Sequence, residues 1–436
     1  MKASYYNIYI KHNTKNVICF NTKLNAYCII SEIDSELLKK DITLLATHSP
    51  NVYNNLVKRG FIINENINEY EELCKEYHHA VNDSSTYKLV LLPSLDCNLR
   101  CWYCYERHIH GSHISEQTSK SIFKFVENLF QGNPNLTNLQ IDLFGGEPLL
   151  YFEKELYPLL KQIKEYISSI NKNVSFFFIT NAVCINEKNI PLFNDLKASF
   201  QISIDGSKEQ HNNIKFIPET KTGTYDHVIK VIHKLTKELE HCYINLRINY
   251  DEKNLSQMKY LIEELSDIPR KKIGIHLERV WQTIGFSNYD NEELKYTINL
   301  WMKNGFNVSY MNLGRRSYSC KASAKYQSII SYDGAVYKCT GRDFTPKHQE
   351  GILQTNGTIK WNENKLAERL NILTYDNDMC RTCNFLPLCW GPCCQKQMES
   401  PDKNFTRYCQ KRGMEISIAD YVRYRFNNEY IKTNRK

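Results

Sequence analysis

The chain has 436 residues, of which 42% are hydrophobic and 12% aromatic, and a formal net charge of +8. That is enough apolar material for two or three domains with several layers of core, which excludes a disordered chain, and no run approaches the length of a membrane span. The charge is spread through a Lys- and Asn-rich sequence with no block of five or more like charges, so it reads as a solvated surface and not as a nucleic-acid or membrane patch.

Residues 1–80 read as a small module. Segments 17–20 and 26–30 have the pattern of paired strands, 35–45 and 51–58 of helices, and 60–64 of a closing strand. The order suits a winged-helix-like unit that grips a peptide, with a plain structural cap as the alternative. The polar stretch 78–86 (HHAVNDSST) has turn-forming composition and marks a boundary.

From Lys88 onward short apolar runs alternate with helix-period segments, the pattern of repeated β/α units and a parallel sheet. Strands are expected at 88–96, 139–144, 174–180, 200–204, 243–249 and 272–280. Helices are expected at about 116–130, 152–170, 187–196, 225–239, 255–265 and 291–304. Six units make a partial, TIM-like barrel over 88–305, an α/β fold whose chemistry sits on loops at the C-terminal ends of the strands. Eight of the 16 cysteines then fall between Cys320 and Cys409, in a stretch (306–412) with few long periodic segments that metal is expected to organise. Residues 413–436 form a terminal helix, at 415–426, and a tail. The sequence Met1-Lys2-Ala3-Ser4-Tyr5-Tyr6 has no apolar signal core, so a cytoplasmic, reducing location is expected, in which cysteines serve metal binding or catalysis rather than disulfides.

The run Cys97-Asn98-Leu99-Arg100-Cys101-Trp102-Tyr103-Cys104 directly follows the first expected barrel strand. Three thiolates on one loop hold three irons of a cubane cluster and leave the fourth open to a small ligand; zinc, or three unrelated thiols, are the alternatives. Gly145-Gly146-Glu147-Pro148 follows the second strand, where two glycines allow close backbone approach and a carboxylate can accept from an ammonium. Arg247 and Asn249 alternate on the fifth strand and share one face.

Together these motifs resemble the radical S-adenosylmethionine (SAM) enzymes. The resemblance implies that Cys97, Cys101 and Cys104 hold a [4Fe-4S] cluster whose open iron chelates SAM, that Tyr103 packs near the adenine, and that Gly145, Gly146, Glu147 and Pro148 bind the SAM amino group. Thr180-Asn181 resembles the family's T-N-G turn, with Ala182 in place of Gly, and places Asn181 at the cofactor. Ser203-Ile204-Asp205-Gly206 resembles its S-h-D-G motif, whose serine reaches the ribose or carboxylate and which brings Asp205 alongside; an inward Arg247 would face the SAM carboxylate, pairing with a carboxylate of the barrel being the alternative. The family often continues with H-D-x-x-R, whereas here His211 is followed by Asn212 and, at the Arg position, Lys215. A Lys cannot reproduce a bidentate Arg contact.

Cys320-x13-Gly334-x4-Cys339, Cys380-x2-Cys383-x5-Cys389-x3-Cys393 and Cys409 resemble the SPASM extension of the same enzymes. By that resemblance Cys380, Cys383, Cys389 and Cys409 close one auxiliary Fe–S cluster, while Cys320, Cys339 and Cys393 bind another that lacks a fourth Cys. A zinc ribbon is the alternative for 380–393. Cys394 lies outside the pattern, and Cys19, Cys28, Cys74, Cys184 and Cys242 read as ordinary thiols. The implied activity is that of a peptide maturase: hydrogen abstraction by a 5′-deoxyadenosyl radical, then closure of a thioether or C–C crosslink. The implied partners are a precursor peptide with a leader and a flavodoxin- or ferredoxin-type electron donor, without nucleic acid or membrane. An anaerobic sulfatase-maturing enzyme is the second reading, although such enzymes generally carry an Asp and an eighth Cys where this chain has Thr340 and Gly314. A non-catalytic Fe–S carrier is the third, and it has no use for G-G-E-P.

Overall fold

Strands Thr86–Leu92, Asn138–Leu143, Asn173–Thr180, Ser199–Ile204, Ile244–Tyr250 and Ile273–Arg279 lie side by side, each parallel to the last, and meet the six expected strands. The computed structural model describes all residues except 253, 281, 283–290, 311–317, 319, 401–407 and 435–436. The first strand stops at Leu92, short of the expected end, because Pro93 has no N–H to continue the ladder.

Period-two alternation decides which face is which. Ile202, Ile204, Leu246 and Ile248 are wholly buried, while their neighbours Gln201, Ser203, Arg247 and Asn249 line a hollow. The apolar face carries the helices Glu116–Gly132, Tyr157–Ser169, Ile190–Asp195, Tyr225–Glu238, Lys259–Glu264 and Glu292–Lys303. Ser115 and Asn291 cap the first and last of these by accepting from the Thr118 and Leu294 N–H groups.

Two further strands extend the sheet beyond the six expected. Asn307–Tyr310 runs parallel to Ile273–Arg279, and Gln327–Ser331 runs parallel to Thr86–Leu92 on the opposite edge. Ala335–Tyr337, Gly351–Leu353 and Ile359–Trp361 continue from there in antiparallel order, giving one sheet of 11 strands. The cysteine-rich segment is therefore anchored to the barrel by backbone pairing. Gly334, at φ 83°, makes the turn between Gln327–Ser331 and Ala335–Tyr337.

The N-terminal segment departs from expectation in four places. A strand at Asn7–Lys11 joins Asn16–Asn21 and Ala26–Ser31 in an antiparallel sheet. The helix expected over 35–45 is two helices, Glu32–Lys40 and Ile42–His48, because Asp41 ends the first and caps the second by accepting from the Leu44 N–H at 2.9 Å. The closing strand, Ile62–Ile63, pairs with Lys2–Ala3 and not with the hairpin. A helix at Glu69–Val81 occupies part of the stretch read as a linker. The terminal helix spans Ile418–Asn434. No helix among the described residues is long and apolar enough to cross a membrane.

Candidate active site

Directly after Pro93 the chain turns into a loop held from within. Asp96 accepts from the Cys97 N–H at 2.8 Å through Oδ1 and from the Gly111 N–H at 2.8 Å through Oδ2, so it ties both ends of the cysteine loop together. The Cys97, Cys101 and Cys104 side chains all reach one cavity of about 490 Å³. Cys97 Sγ accepts from the Leu99 N–H at 3.4 Å and faces Asn181 Nδ2 at 3.8 Å. Burial, with Glu147 next, pushes the Cys97 thiol well up, and burial with Glu106 nearby raises Cys104 to about 11. Thiols held protonated in this way lose their protons when they coordinate a metal.

Gly145 and Gly146 line the cavity, but the space left by their missing side chains is filled by the cysteine loop. A Cβ on Gly145 would stand 2.4 Å from the Ser94 carbonyl oxygen, and one on Gly146 2.1 Å from that of Asp96. Glu147 donates its N–H to the Asp96 carbonyl at 2.8 Å. Its carboxylate turns away from the cavity and accepts from Thr180 Oγ1 at 2.7 Å, the Asn181 N–H at 2.8 Å and the Leu149 N–H at 3.1 Å. Full burial lifts this carboxyl to about 7 against the pull of those donors. Neither Glu147 nor Pro148, both expected at the SAM amino group, lines the cavity, and Glu147 joins the G-G-E-P turn to the T-N turn. Asn181, which does line it, donates through Nδ2 to Asn98 Oδ1 at 2.8 Å.

Ser203 and Arg247 are paired across adjacent strands, and both face the cavity. Asp205, expected at the cofactor, does not line the cavity and is wholly buried. Asp205 accepts from the Tyr103 hydroxyl at 2.5 Å and from Asn249 Nδ2 at 3.3 Å, and it pairs with Lys215 Nζ at 3.0 Å. The Tyr103 hydroxyl, expected only to sit near an adenine, thus ends in a buried polar network. Arg247 Nε donates to Asn249 Oδ1 at 3.0 Å. His211 is buried with its pKa pushed down to about 4. It is neutral with the proton on Nε2, because Nδ1 accepts from the Asp205 N–H at 3.3 Å and the Thr224 hydroxyl at Nε2 already donates to the Lys215 carbonyl.

The opposite wall of the same cavity belongs to the cysteine-rich segment: Cys320, Lys321, Ala322, Gln327, Lys338 and Thr340. Two ties cross to it. The Tyr105 hydroxyl donates to the Thr340 carbonyl at 2.6 Å, and Lys321 pairs with Asp142 on the second barrel strand. Burial lifts the Cys339 thiol to about 12, with Cys320 and Cys393 adding to it electrostatically. Cys389 is raised to about 12 by burial, with Cys383, Cys380 and Cys409 adding. Cys383 and Cys409 line a second cavity of about 460 Å³. Cys394 is turned elsewhere, accepting from Ser323 Oγ at 3.5 Å and from the buried Arg369 at 3.7 Å. Gly314 lies outside the described residues.

Among the described residues no three His, Cys, Asp or Glu side chains converge on a single metal ion. Separate thiols around a common space suit iron–sulfur clusters, in which each thiolate takes a different iron. Sequence reasoning did not single out Glu106, whose carboxyl burial lifts to about 8, nor Arg279 and Lys338, all of which line the main cavity. Glu106 stands two residues after Cys104, the one signal that could have found it.

Residues 91–265 match the family model described as the radical SAM superfamily. The cysteine-type anaerobic sulfatase-maturating enzyme of Clostridium novyi (strain NT) is 23% identical over 336 residues, covering 70% of this chain and 87% of its own. Native anSMEcpe, solved with AdoMet and the Cp18Cys peptide, superposes with a TM-score of 0.56 at 18% identity, over 80% of this chain and 97% of its own. Streptococcus suis SuiB, solved with the precursor peptide SuiA, does so with a TM-score of 0.54 at 15% identity, over 94% of this chain and 99% of its own. Residues 91–265 form a radical SAM domain, and the chain shares the α/β fold of anSMEcpe and SuiB.

Proposed function

We propose that the protein is a radical SAM peptide maturase that abstracts hydrogen from a precursor peptide and closes a thioether or C–C crosslink. The observation that carries this reading is the shared cavity, with Cys97, Cys101 and Cys104 on one wall and Cys320 on the other. Cys97, Cys101 and Cys104 would hold the radical SAM cluster, Cys320, Cys339 and Cys393 a second cluster, and Cys380, Cys383, Cys389 and Cys409 a third. When bound, the first cluster and SAM supply a 5′-deoxyadenosyl radical.

The chain's own residues do the rest. Ser203 and Arg247 offer donors to the polar end of SAM, and Asn181 holds the cysteine loop against the third strand. Tyr105 and Lys321 fasten the cysteine-rich wall across the cavity, so a substrate held there lies between the two thiol groups. Because Arg369 and Ser323 hold Cys394, the Cys320 group keeps three thiolates and leaves a position for a substrate donor. Residues 1–80 would grip the leader, for which Ala26–Ser31 offers an edge of its sheet and Ile29 and Ile33 are exposed. An electron from a flavodoxin- or ferredoxin-type donor in a reducing cytoplasm completes the reading.

The kinship with the Clostridium novyi enzyme favours a second reading, maturation of a sulfatase residue. Thr340 counts against it, since it brings no carboxylate to the cavity wall. Reduced, cluster-loaded enzyme incubated with SAM and a candidate precursor, any short peptide found encoded beside its gene, should yield a peptide lighter by two hydrogens in mass spectrometry. An unaltered precursor alongside a modified sulfatase-site peptide would replace the first reading with the second.

A further inference from the structure

Lys215 stands where the sequence departs from the family pattern, and its surroundings explain the substitution. The helix Lys208–Ile214 and the hairpin Phe216–Ile217 with Thr222–Gly223 follow the fourth strand and fold Lys215 back under the cysteine loop. Its Nζ lies 3.0 Å from Asp205 Oδ2, 2.5 Å from the Tyr103 hydroxyl and 3.6 Å from Cys101 Sγ. An ammonium has three N–H groups, and here it has three acceptors around one nitrogen. A guanidinium spreads its donors over a rigid planar fork and is larger, so in a site this enclosed it could not serve all three from one point. Lys215 is only 3% exposed, and the Asp205 carboxylate balances its charge.

We propose that Lys215 is a positioning residue that sets the reduction potential of the radical SAM cluster, by donating to the Cys101 sulfur from a fixed point beneath the loop. The inference rests on the reading that Cys97, Cys101 and Cys104 hold that cluster. Hydrogen bonds to cluster sulfurs are among the levers on Fe–S potentials; a fixed cation beside a thiolate ligand favours the reduced, more negative cluster. Asp205 and Tyr103 hold the ammonium in place, and Asn249 Nδ2 donates to both, to the Tyr103 hydroxyl at 3.2 Å. The fourth and fifth strands are thereby wired to the middle cysteine.

In cluster-loaded protein the midpoint potential is read by EPR-monitored redox titration, with this cluster's signal identified by its change on adding SAM. Lys215→Met should leave at least ~tenfold less of the cluster reduced at a given potential, about 59 mV for a one-electron couple. The double variant Lys215→Met/Asp205→Asn removes the hydrogen bond and restores charge balance, and it should show a downward shift as well. Wild-type protein grown on lysine labelled with nitrogen-15 at Nζ should show a nitrogen coupling to the reduced cluster in pulsed EPR, and this measurement decides the matter if either variant fails to fold. Unchanged potentials in the variants, or no lysine coupling in the wild type, would overturn the inference. Full iron retention in Cys101→Ala would defeat the ligand assignment instead, which keeps the two failures apart.

Discussion

Glu147 stands in a ligand-binding motif, and in the fold its carboxylate also serves the backbone. The sequence places it beside two glycines at the end of a strand, the position of a ligand-facing carboxylate. The structure spends both its oxygens on Thr180, Asn181 and Leu149, two of them through backbone N–H groups that a helix-free turn would otherwise leave unpaired. No sequence pattern reveals which way such a side chain points. Glu147→Gln turns an acceptor into a donor facing one of those groups, so it should cost ~1–3 kcal/mol, read as a lower unfolding midpoint in thermal or denaturant unfolding. An unchanged midpoint would mean that the carboxylate is free for a ligand after all. Lys215 gives the converse lesson: as a departure from a pattern it carried a warning, and only the fold brought Asp205, Tyr103 and Cys101 to its three donors.

Among the elements, barrel strands such as Ser199–Ile204 and Ile244–Tyr250 were legible because they alternate strictly, whereas Gln327–Ser331 is buried on both faces and too short to declare itself. The helix Glu69–Val81 was the larger miss. Its start is marked by Asn68, which accepts from the Glu71 N–H, with Glu69, Glu71 and Glu72 in the first turn, but its polar end merges with the linker composition of HHAVNDSST. The consequence is structural: Leu73 and Tyr77 on this helix pack with Tyr6, Tyr375, Trp390, Leu386 and Cys380 in one buried cluster. A cut at residue 80 would therefore strip the cover from the third group of cysteines and could not isolate a leader-binding module cleanly. Tyr77→Ala should destabilise the chain by ~3–5 kcal/mol and release iron held by the Cys380 group while sparing the radical SAM cluster. Iron analysis together with the SAM-responsive EPR signal checks this, and an unaltered iron content would show that the packing does not support the site.

At the scale of the whole molecule, one continuous sheet accounts for the meeting of the two cysteine patterns. Cys320 precedes, and Cys339 follows, a hairpin that pairs with the first barrel strand, the same strand that delivers Cys97 at its other end. The sequence showed both patterns but not that they face each other across a single cavity, because the pairing of Gln327–Ser331 with Thr86–Leu92 spans more than two hundred residues and leaves no local trace. The central claim is that Cys97, Cys101 and Cys104 together support radical chemistry on SAM. Formation of 5′-deoxyadenosine by the reduced, anaerobically reconstituted protein, compared with Cys101→Ala, tests it most directly. Steady formation in the wild type and none above background in Cys101→Ala is the predicted result, and equal formation in the two proteins would contradict it.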